Sequence, residues 1–471
     1  LLSERFRSDR GSEIGVSLTT PQKIRTLQKK LYLLAKEKPD QRFHSLYDKI
    51  YREDILEHAY LLCRANGGAP GVDGVTFTDV ESAGRAEWLN GLRKELHDKT
   101  YVPQAVRRVL IPKASGGERP LGIPTIRDRV VQSAAKLVLE PIFEADFAPE
   151  AFGYRPKKSA QQAIKTTHEA LVEGFTDVVD ADLSKFFDTI PHTELMKSVV
   201  RRVVDRQVLK LVKAWLKVPV QETDDQGRTK LTGGKDTDRG TPQGGVVSPL
   251  LANIYMNRFI RAWRKYDKGT AFEARLVNYA DDFVILTRRK AREALEWTRG
   301  VMRRIGLTIN EKKTRMCDAK RESFNFLGYS FGPEVHRKSG TLYTAAKPSH
   351  KAILKLKERV GEVVRRGVVA PWEEVQARLN RVLGGWANYF SHGTRYSAFR
   401  AIDNHVQDIV RSFLCRRHKV PTRGTKRFPD WVIFGELGVT SLVTVLLGRP
   451  SARRKMMSDR KAGCGKSARP V

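Results

Sequence analysis

The sequence predicts an α+β chain: strands and helices are mixed over its first two thirds, and a helical, strongly basic region follows. Three observations lead to this reading. Two short apolar strand patterns end in acidic residues, at Thr176–Leu183 and Leu276–Leu286. Helical periodicity takes over after about Lys347. Positive charge is in large excess and densest toward the C-terminus.

The 471 residues, 40% of them apolar, are enough for about two to four domains with real cores. Lys and Arg number 86 against 53 Asp and Glu, a net charge of +33 with a pI near 10.1. So lopsided a balance points to a polyanionic partner, most simply nucleic acid. From Thr341 to Val471 there are 26 Lys or Arg against 9 Asp or Glu, a net of +17. That region is expected to hold much of the electrostatic footprint. Four dispersed cysteines (Cys63, Cys317, Cys415, Cys464) lack the paired spacing of a zinc site or a disulfide framework, and fit a reducing cytoplasm. No run of about 18 apolar residues exists, so no membrane partner is expected. The chain begins at Leu1 with a polar segment, and a trimmed or non-standard start is expected.

In order along the chain, Thr20 to Arg64 reads as amphipathic helix. Asn66–Gly74 (NGGAPGVDG) is a Gly- and Pro-rich loop, and a further helical stretch runs to about Lys99. Arg107–Pro112 reads as a strand, Ala114–Gly117 as a turn and Arg127–Leu139 as a helix. Thr176–Leu183 (TDVVDADL) reads as a core strand and Leu276–Leu286 (LVNYADDFVIL) as a hairpin. His350–Arg366, Trp372–Tyr389 and Ser397–Arg417 form a three-helix unit, and the segment after Arg449 is a basic, disordered tail.

The acids carry the chemistry. Asp281 and Asp282 lie side by side at a turn between two apolar runs, where they repel each other and gain nothing for folding. Asp-Asp is also a common solvated turn, but the buried flanks hold this one rigidly. Alternation puts Asp180 and Asp182 on one face of their strand with Ala181 opposite. If the two strands neighbour each other in one sheet, Asp182 joins Asp281 and Asp282 in a cluster of hard oxygen ligands suited to Mg²⁺. Two ions roughly 3.5–4 Å apart would activate a primer 3′-hydroxyl and stabilise departing pyrophosphate. Asp180 and Asp188 read as supporting or structural residues.

An ordered series of motifs resembles the group II intron reverse transcriptases and maturases over about Thr20 to Lys419. The pieces are IPKASGGERPLGIPTIRDRVVQ, AFGYRPKKSA, DADLSKFFDTI, GTPQGGVVSPLLANIY, NYADD, GLTINEKKT, FNFLGY and LNRVLGGWANYF. YADD alone is weak; the ordered series is strong. The resemblance implies a right-hand polymerase, with fingers and a palm built on an antiparallel sheet, followed by an α-helical thumb that is also the maturase domain. It divides the chain into an N-terminal helical extension (1–64), fingers and palm (65–345), thumb (346–420), a remnant DNA-binding segment (421–448) and the basic tail (449–471).

The same resemblance implies an RNA-directed DNA polymerase using two Mg²⁺ ions held by Asp182, Asp281 and Asp282. Lys113, Arg119, Gln243 and Lys313 correspond to residues around the incoming triphosphate. Phe186 or Phe187, with Phe187 favoured, lies under its sugar and screens out the ribose 2′-hydroxyl. Asn66, Gly67, Gly68, Gly71 and Gly74 are expected over the template, and Phe326, Leu327 and Gly328 at the primer end. Lys351, Lys355, Arg365, Arg366, Arg416 and Arg417 are expected on duplex phosphates. Trp386, Tyr389 and Phe390 are expected in the thumb core. The implied partners are intron RNA, a DNA primer or target and deoxynucleoside triphosphates, in a nucleoprotein complex in a bacterial cytoplasm. Beyond Lys419 no Cys-pair and His pattern of a metal-dependent endonuclease follows, so cleavage of a target strand is not expected. Two rival readings remain on sequence: a splicing-only maturase, opposed by the intact acids with Lys113, Arg119 and Gln243, and a reverse transcriptase recruited to phage defence, opposed by the maturase segment.

Overall fold

The computed structural model describes residues 18–112, 118–224, 226, 228–242, 244–336 and 339–448. Its strands are β1 Val106–Pro112, β2 Glu118–Ile123, β3 Asp177–Asp182, β4 Pro219–Thr223, β5 Thr229–Gly233, β6 Ala274–Tyr279, β7 Asp282–Thr287, β8 Arg315–Asp318, β9 Phe324–Phe326, β10 Tyr329–Val335 and β11 Leu342–Pro348. They form three sheets, in the orders β2-β1-β4-β5, β6-β7-β3-β8 and β11-β10-β9. The chain divides into two compact units. The first comprises Leu1–Ser159, Ala181–Ile285 and Lys290–Arg315. The second comprises Ala160–Asp180, Leu286–Arg289 and Met316–Val471.

The first unit is organised on the helix Ile126–Glu144. Its side chains Val130, Val131, Ala134, Ala135, Val138 and Ile142 are fully buried, so this helix is enclosed rather than amphipathic. Thr125 caps it by accepting from the Asp128 N–H. The helices Gln22–Glu37 and Glu53–Asn66 pack against it. Gln28 Nε2 donates to Leu137 O at 3.0 Å, and Lys36 Nζ to Ala145 O at 3.3 Å. The buried Arg202 ties the same region down, donating to the carbonyls of Ala35, Lys38 and Gln41 and pairing with Asp146. The two N-terminal helices thus pack within the first unit. In the sheet β2-β1-β4-β5, β1 pairs antiparallel with β2 (Val109 opposite Leu121) and parallel with β4 (Val106 opposite Val220).

The second unit holds the antiparallel sheet β11-β10-β9, the helix Ala160–Val172 and the three C-terminal helices His350–Val363, Trp372–Tyr389 and Tyr396–Arg417. The long C-terminal segment of this unit starts at Met316, so β9, β10 and β11 belong with the helices that follow. Phe390 is buried, and its ring lies 4.5 Å from that of Trp386 and 4.9 Å from that of Tyr329. The segment read as a DNA-binding remnant is a strap on these helices. Asp403 accepts from Ser441 Oγ and from the Leu442 and Val443 N–H groups at 2.8–3.0 Å. Gln376 and Asn380 bond the backbone at Leu437, Gly438 and Thr440. The basic tail lies outside the described residues.

Candidate nucleotidyl-transfer site

The acids Asp281 and Asp282 sit where β6 turns into β7, with Leu276, Val277, Phe283 and Val284 buried on either side. Ala280 takes a left-handed conformation, φ +58°, which a side chain adopts only when its surroundings hold it there. Those surroundings are specific. Asn278 Nδ2 donates to Ala280 O at 2.9 Å, and Asn278 O accepts from Phe152 N at 2.8 Å. Gly153 backs directly onto the turn: a Cβ there would lie 2.4 Å from Ala280 N. Asn253 Nδ2, on the helix Ser248–Lys265, fixes Gly153 through its carbonyl at 2.8 Å. The glycine of AFGY thus braces YADD, a contact between segments more than a hundred residues apart that no local pattern signals.

Asp182 ends β3, in the sheet that also holds β6 and β7. Its Oδ2 accepts from Asn310 Nδ2 at 3.1 Å and pairs with Lys313 Nζ at 3.3 Å, and its N–H donates to Thr314 Oγ1 at 3.3 Å. Asn310 N also donates to Asp182 O at 2.8 Å. Lys313 is thus drawn to a catalytic candidate rather than left as a free solvated lysine. Asp182 is part-buried and Asp282 exposed, which leaves the acids open to solvent. Among the described residues no three His, Cys, Asp or Glu side chains already stand close enough to hold a metal ion. The donor set still fits Mg²⁺: the residues are carboxylates on neighbouring strands, and Asp182 already attracts an ammonium cation.

Phe186 and Phe187 open the short helix Phe186–Thr189, and both are buried, with rings 5.5 Å apart. Phe187 is the one tied to the YADD turn, since Tyr154 lies 6.4 Å from both its ring and that of Tyr279. Thr241 N donates to Phe187 O at 2.7 Å, which lays the GTPQGG loop along this segment. The loop also closes on β2: a Cβ on Gly244, φ +111°, would meet Gly122 O at 2.1 Å. Lys113 and Gln243 lie outside the described residues, as does the Arg119 side chain. The Arg119 backbone pairs with Ile111 across β1 and β2.

The loop after Asn66 shows the same pattern. Gly67, Gly68 and Gly74 have positive φ. Arg129 holds the carbonyls of Gly67 and Ala69, and Arg107 holds that of Pro70. Gly71 is buried, and a Cβ built on it would lie 2.6 Å from Thr125 Cα, so this position packs against the helix cap. In the second unit, a two-residue hairpin turn joins Phe326 to Tyr329. Leu327 (φ +49°) and Gly328 (φ +80°) connect paired Phe326 and Tyr329. Phe326 and Leu327 are buried, and Tyr389 Oη donates to Leu327 O at 2.9 Å. Lys351, Lys355, Arg365, Arg366, Arg416 and Arg417 are all exposed.

The comparisons with known proteins agree with this layout. Residues 111–331 match the family model described as reverse transcriptase (RNA-dependent DNA polymerase), and residues 353–428 match that described as group II intron, maturase-specific domain. Together these define a right-hand polymerase domain followed by a helical maturase domain. Protein YkfC of Escherichia coli (strain K12) is 34% identical over 366 residues, covering 70% of this chain and 93% of its own. Group II intron-encoded protein LtrA of Lactococcus lactis subsp. cremoris is 34% identical over 224 residues, 47% of this chain and 36% of LtrA. Nuclear intron maturase 2, mitochondrial, of Arabidopsis thaliana is 32% identical over 107 residues, 22% of this chain and 14% of its own. The chain belongs to the group II intron reverse transcriptase and maturase family. Among the described residues no helix is long and apolar enough to cross a membrane.

Proposed function

We propose that the chain is an active RNA-directed DNA polymerase that copies intron RNA into DNA and also binds that RNA to assist splicing and mobility. The observation that carries this is the placing of Asp182 and the Asp281–Asp282 turn on neighbouring strands of one sheet, each braced by its own set of hydrogen bonds. Asp182, Asp281 and Asp282 would hold two Mg²⁺ ions, which would supply positive charge for nucleotidyl transfer. The primer 3′-oxygen bonds to the α-phosphorus of a deoxynucleoside triphosphate, the bond to the departing pyrophosphate breaks, and the 3′-proton passes to water. The protein's part is positioning. Lys113, Arg119, Gln243 and Lys313 orient the triphosphate, and Phe187 denies space to a 2′-hydroxyl. Asn66 to Gly74 faces the template and Phe326 to Gly328 the primer end. The exposed basic residues of the C-terminal helices follow the duplex backbone.

The test is extension of a DNA primer on an RNA template in Mg²⁺. Wild type extends, and Asp182→Asn, Asp281→Asn and Asp282→Asn do not. Binding without extension by the wild-type chain would leave the splicing-only reading in its place.

A further inference from the structure

The helices His192–Val200 and Ser248–Lys265 of the first unit pack together and carry a group of arginines that nucleotidyl transfer does not use. Arg201 follows the last turn of the first helix. Arg258 and Arg261 are three residues apart on the second, and so share a face. These three line one recess together with Ser198, Asn257 and Asp146.

The carboxylates nearby are already engaged. Asp146 is held by Arg202, whose Nε lies 2.8 Å away. Glu194 takes Arg258 at 2.9 Å and Lys197 at 2.6 Å. No ion pair with a described residue balances Arg201 or Arg261. Burial, and then the Arg261 guanidinium, push the Arg201 pKa down; Arg202 and Arg258 act the same way and Asp146 opposes them. Arg201, Arg202, Arg258 and Arg261 outnumber Asp146 and Glu194 at this recess, and the excess positive charge is one that an anion relieves.

The chemistry of the recess selects the anion. The planar guanidinium forks of Arg201 and Arg261 match phosphate oxygens in pairs. The basic surface also runs on past the recess. Lys197 lies one turn before Arg201, and Arg264 and Lys265 continue the second helix, so that helix alone spans about 10 Å of cationic surface from Arg258. A single small anion does not fill such a strip, whereas a chain of phosphates does. With a net charge of +33, the protein as a whole favours a polyanion.

We propose that this two-helix face docks the phosphodiester backbone of structured RNA, through Arg201 and Arg261 beside the Glu194-bound Arg258, as a contact additional to the polymerase site. It rests on the reading of the chain as an RNA-binding protein. It is a shape-and-charge contact, so it is expected to carry little base preference.

The experiment compares wild type with Arg201→Gln/Arg261→Gln, and with a control pair of exposed arginines outside the recess, Arg292→Gln/Arg303→Gln. Each is titrated with a stem-loop RNA and with a DNA duplex of matched length across a salt series. Two lost phosphate contacts reduce the slope of log K against log salt by about 1.4–1.8 for the recess variant on RNA. Affinity at low salt falls about tenfold, and single-nucleotide extension of a short primer–template stays at the wild-type level. An equal loss in the control pair, or a loss on DNA duplex with none on RNA, overturns the proposal, as does an unchanged slope. If wild type itself fails to bind RNA, the RNA-binding reading fails and this one with it. If wild type binds RNA and the recess variant binds alike, only this proposal fails.

Discussion

Replacing Gly153 by alanine places one methyl group against the turn that carries Asp281 and Asp282. The built Cβ lies 2.4 Å from Ala280 N, 3.0 Å from Tyr279 C and 3.2 Å from Ala280 Cα. All three are backbone atoms, so no rotamer change gives relief. Ordinary contact begins at 3.4 Å, so the turn has to retreat by about 1 Å. It is bound on both sides, by Asn278 to Ala280 O and by Phe152 to Asn278 O, and it resists. Overpacking of this kind costs about 1–3 kcal/mol, which lowers Tm by about 2–4 °C per kcal/mol in a unit of this size. Activity is hit harder, because a 1 Å displacement of catalytic groups costs about 10²-fold in rate. The assay is single-nucleotide incorporation at saturating primer–template, well below Tm. Gly393→Ala is the control: its Cβ would meet Ala346 O at 2.1 Å in the second unit, so it loses at least as much stability but keeps incorporation near wild type. If Gly153→Ala lowers Tm yet incorporates within about threefold of wild type, the brace does not position the acids.

Four further outcomes are expected. Asp182→Asn, Asp281→Asn and Asp282→Asn each abolish primer extension while circular dichroism and RNA binding stay at wild-type levels; retained extension in any one removes that residue from the metal set. A smaller residue at Phe187 raises kcat/KM for ribonucleotides relative to deoxynucleotides more than the same change at Phe186, and the reverse order would shift the sugar filter by one residue. RNA affinity falls about 10³–10⁵-fold between about 50 and 200 mM salt, and deletion of 449–471 reduces that slope modestly; a flat response refutes backbone binding as the use of the charge. Burial holds the pKa of His58 below its ordinary 6.5, and its Nε2 has no partner. The unfolded chain therefore takes up a proton first, so stability is full above about pH 6.5 and is lost as pH falls toward the folded pKa. His58→Leu should flatten that part of the Tm–pH curve, and an unchanged curve assigns it to other groups, of which His392 and His405 shift in the same direction.

What was legible in the sequence was whatever local pattern decides. The apolar run ending in Asp182 forms β3, the YADD flanks form β6 and β7, and the three basic helices occupy nearly the residues their periodicity marks. What was not legible depends on partners far away in sequence. The hairpin turn at Leu327–Gly328 was missed because leucine does not signal positive φ; it is held there by Tyr389, 62 residues on. The strap from Leu437 to Leu446 has no periodicity of its own, and its partners are Asp403, Gln376 and Asn380. The helix Ala160–Val172 belongs to the second unit although more than a hundred residues of the first separate it from the rest. A boundary in space need not be a boundary in the chain.

The motifs read in order along the sequence turn out to work in pairs across it. AFGY braces YADD, through Gly153 against Ala280. GLTINEKKT braces DADL, through Asn310, Lys313 and Thr314 on Asp182. GTPQGG is laid along FFDT by the bond from Thr241 N to Phe187 O, and it closes on β2 at Gly122. LNRVLGGWANYF holds FLGY through Tyr389 and the ring of Phe390. The pair on Asp182 cannot be explained by stability. Lys313 is about two-thirds exposed, and an ion pair in that setting contributes about 0–1 kcal/mol. It offsets negative charge at the end of β3, on a carboxylate that Asn310 also holds. The amide of Asn310 and the hydroxyl of Thr314 fix the same residue from other directions, so Asp182 is oriented before any ligand arrives. In a reaction that asks the protein mainly for placement, each residue that touches the chemistry needs a second segment to hold it, and an ordered series of distant motifs is what such a requirement leaves in a sequence.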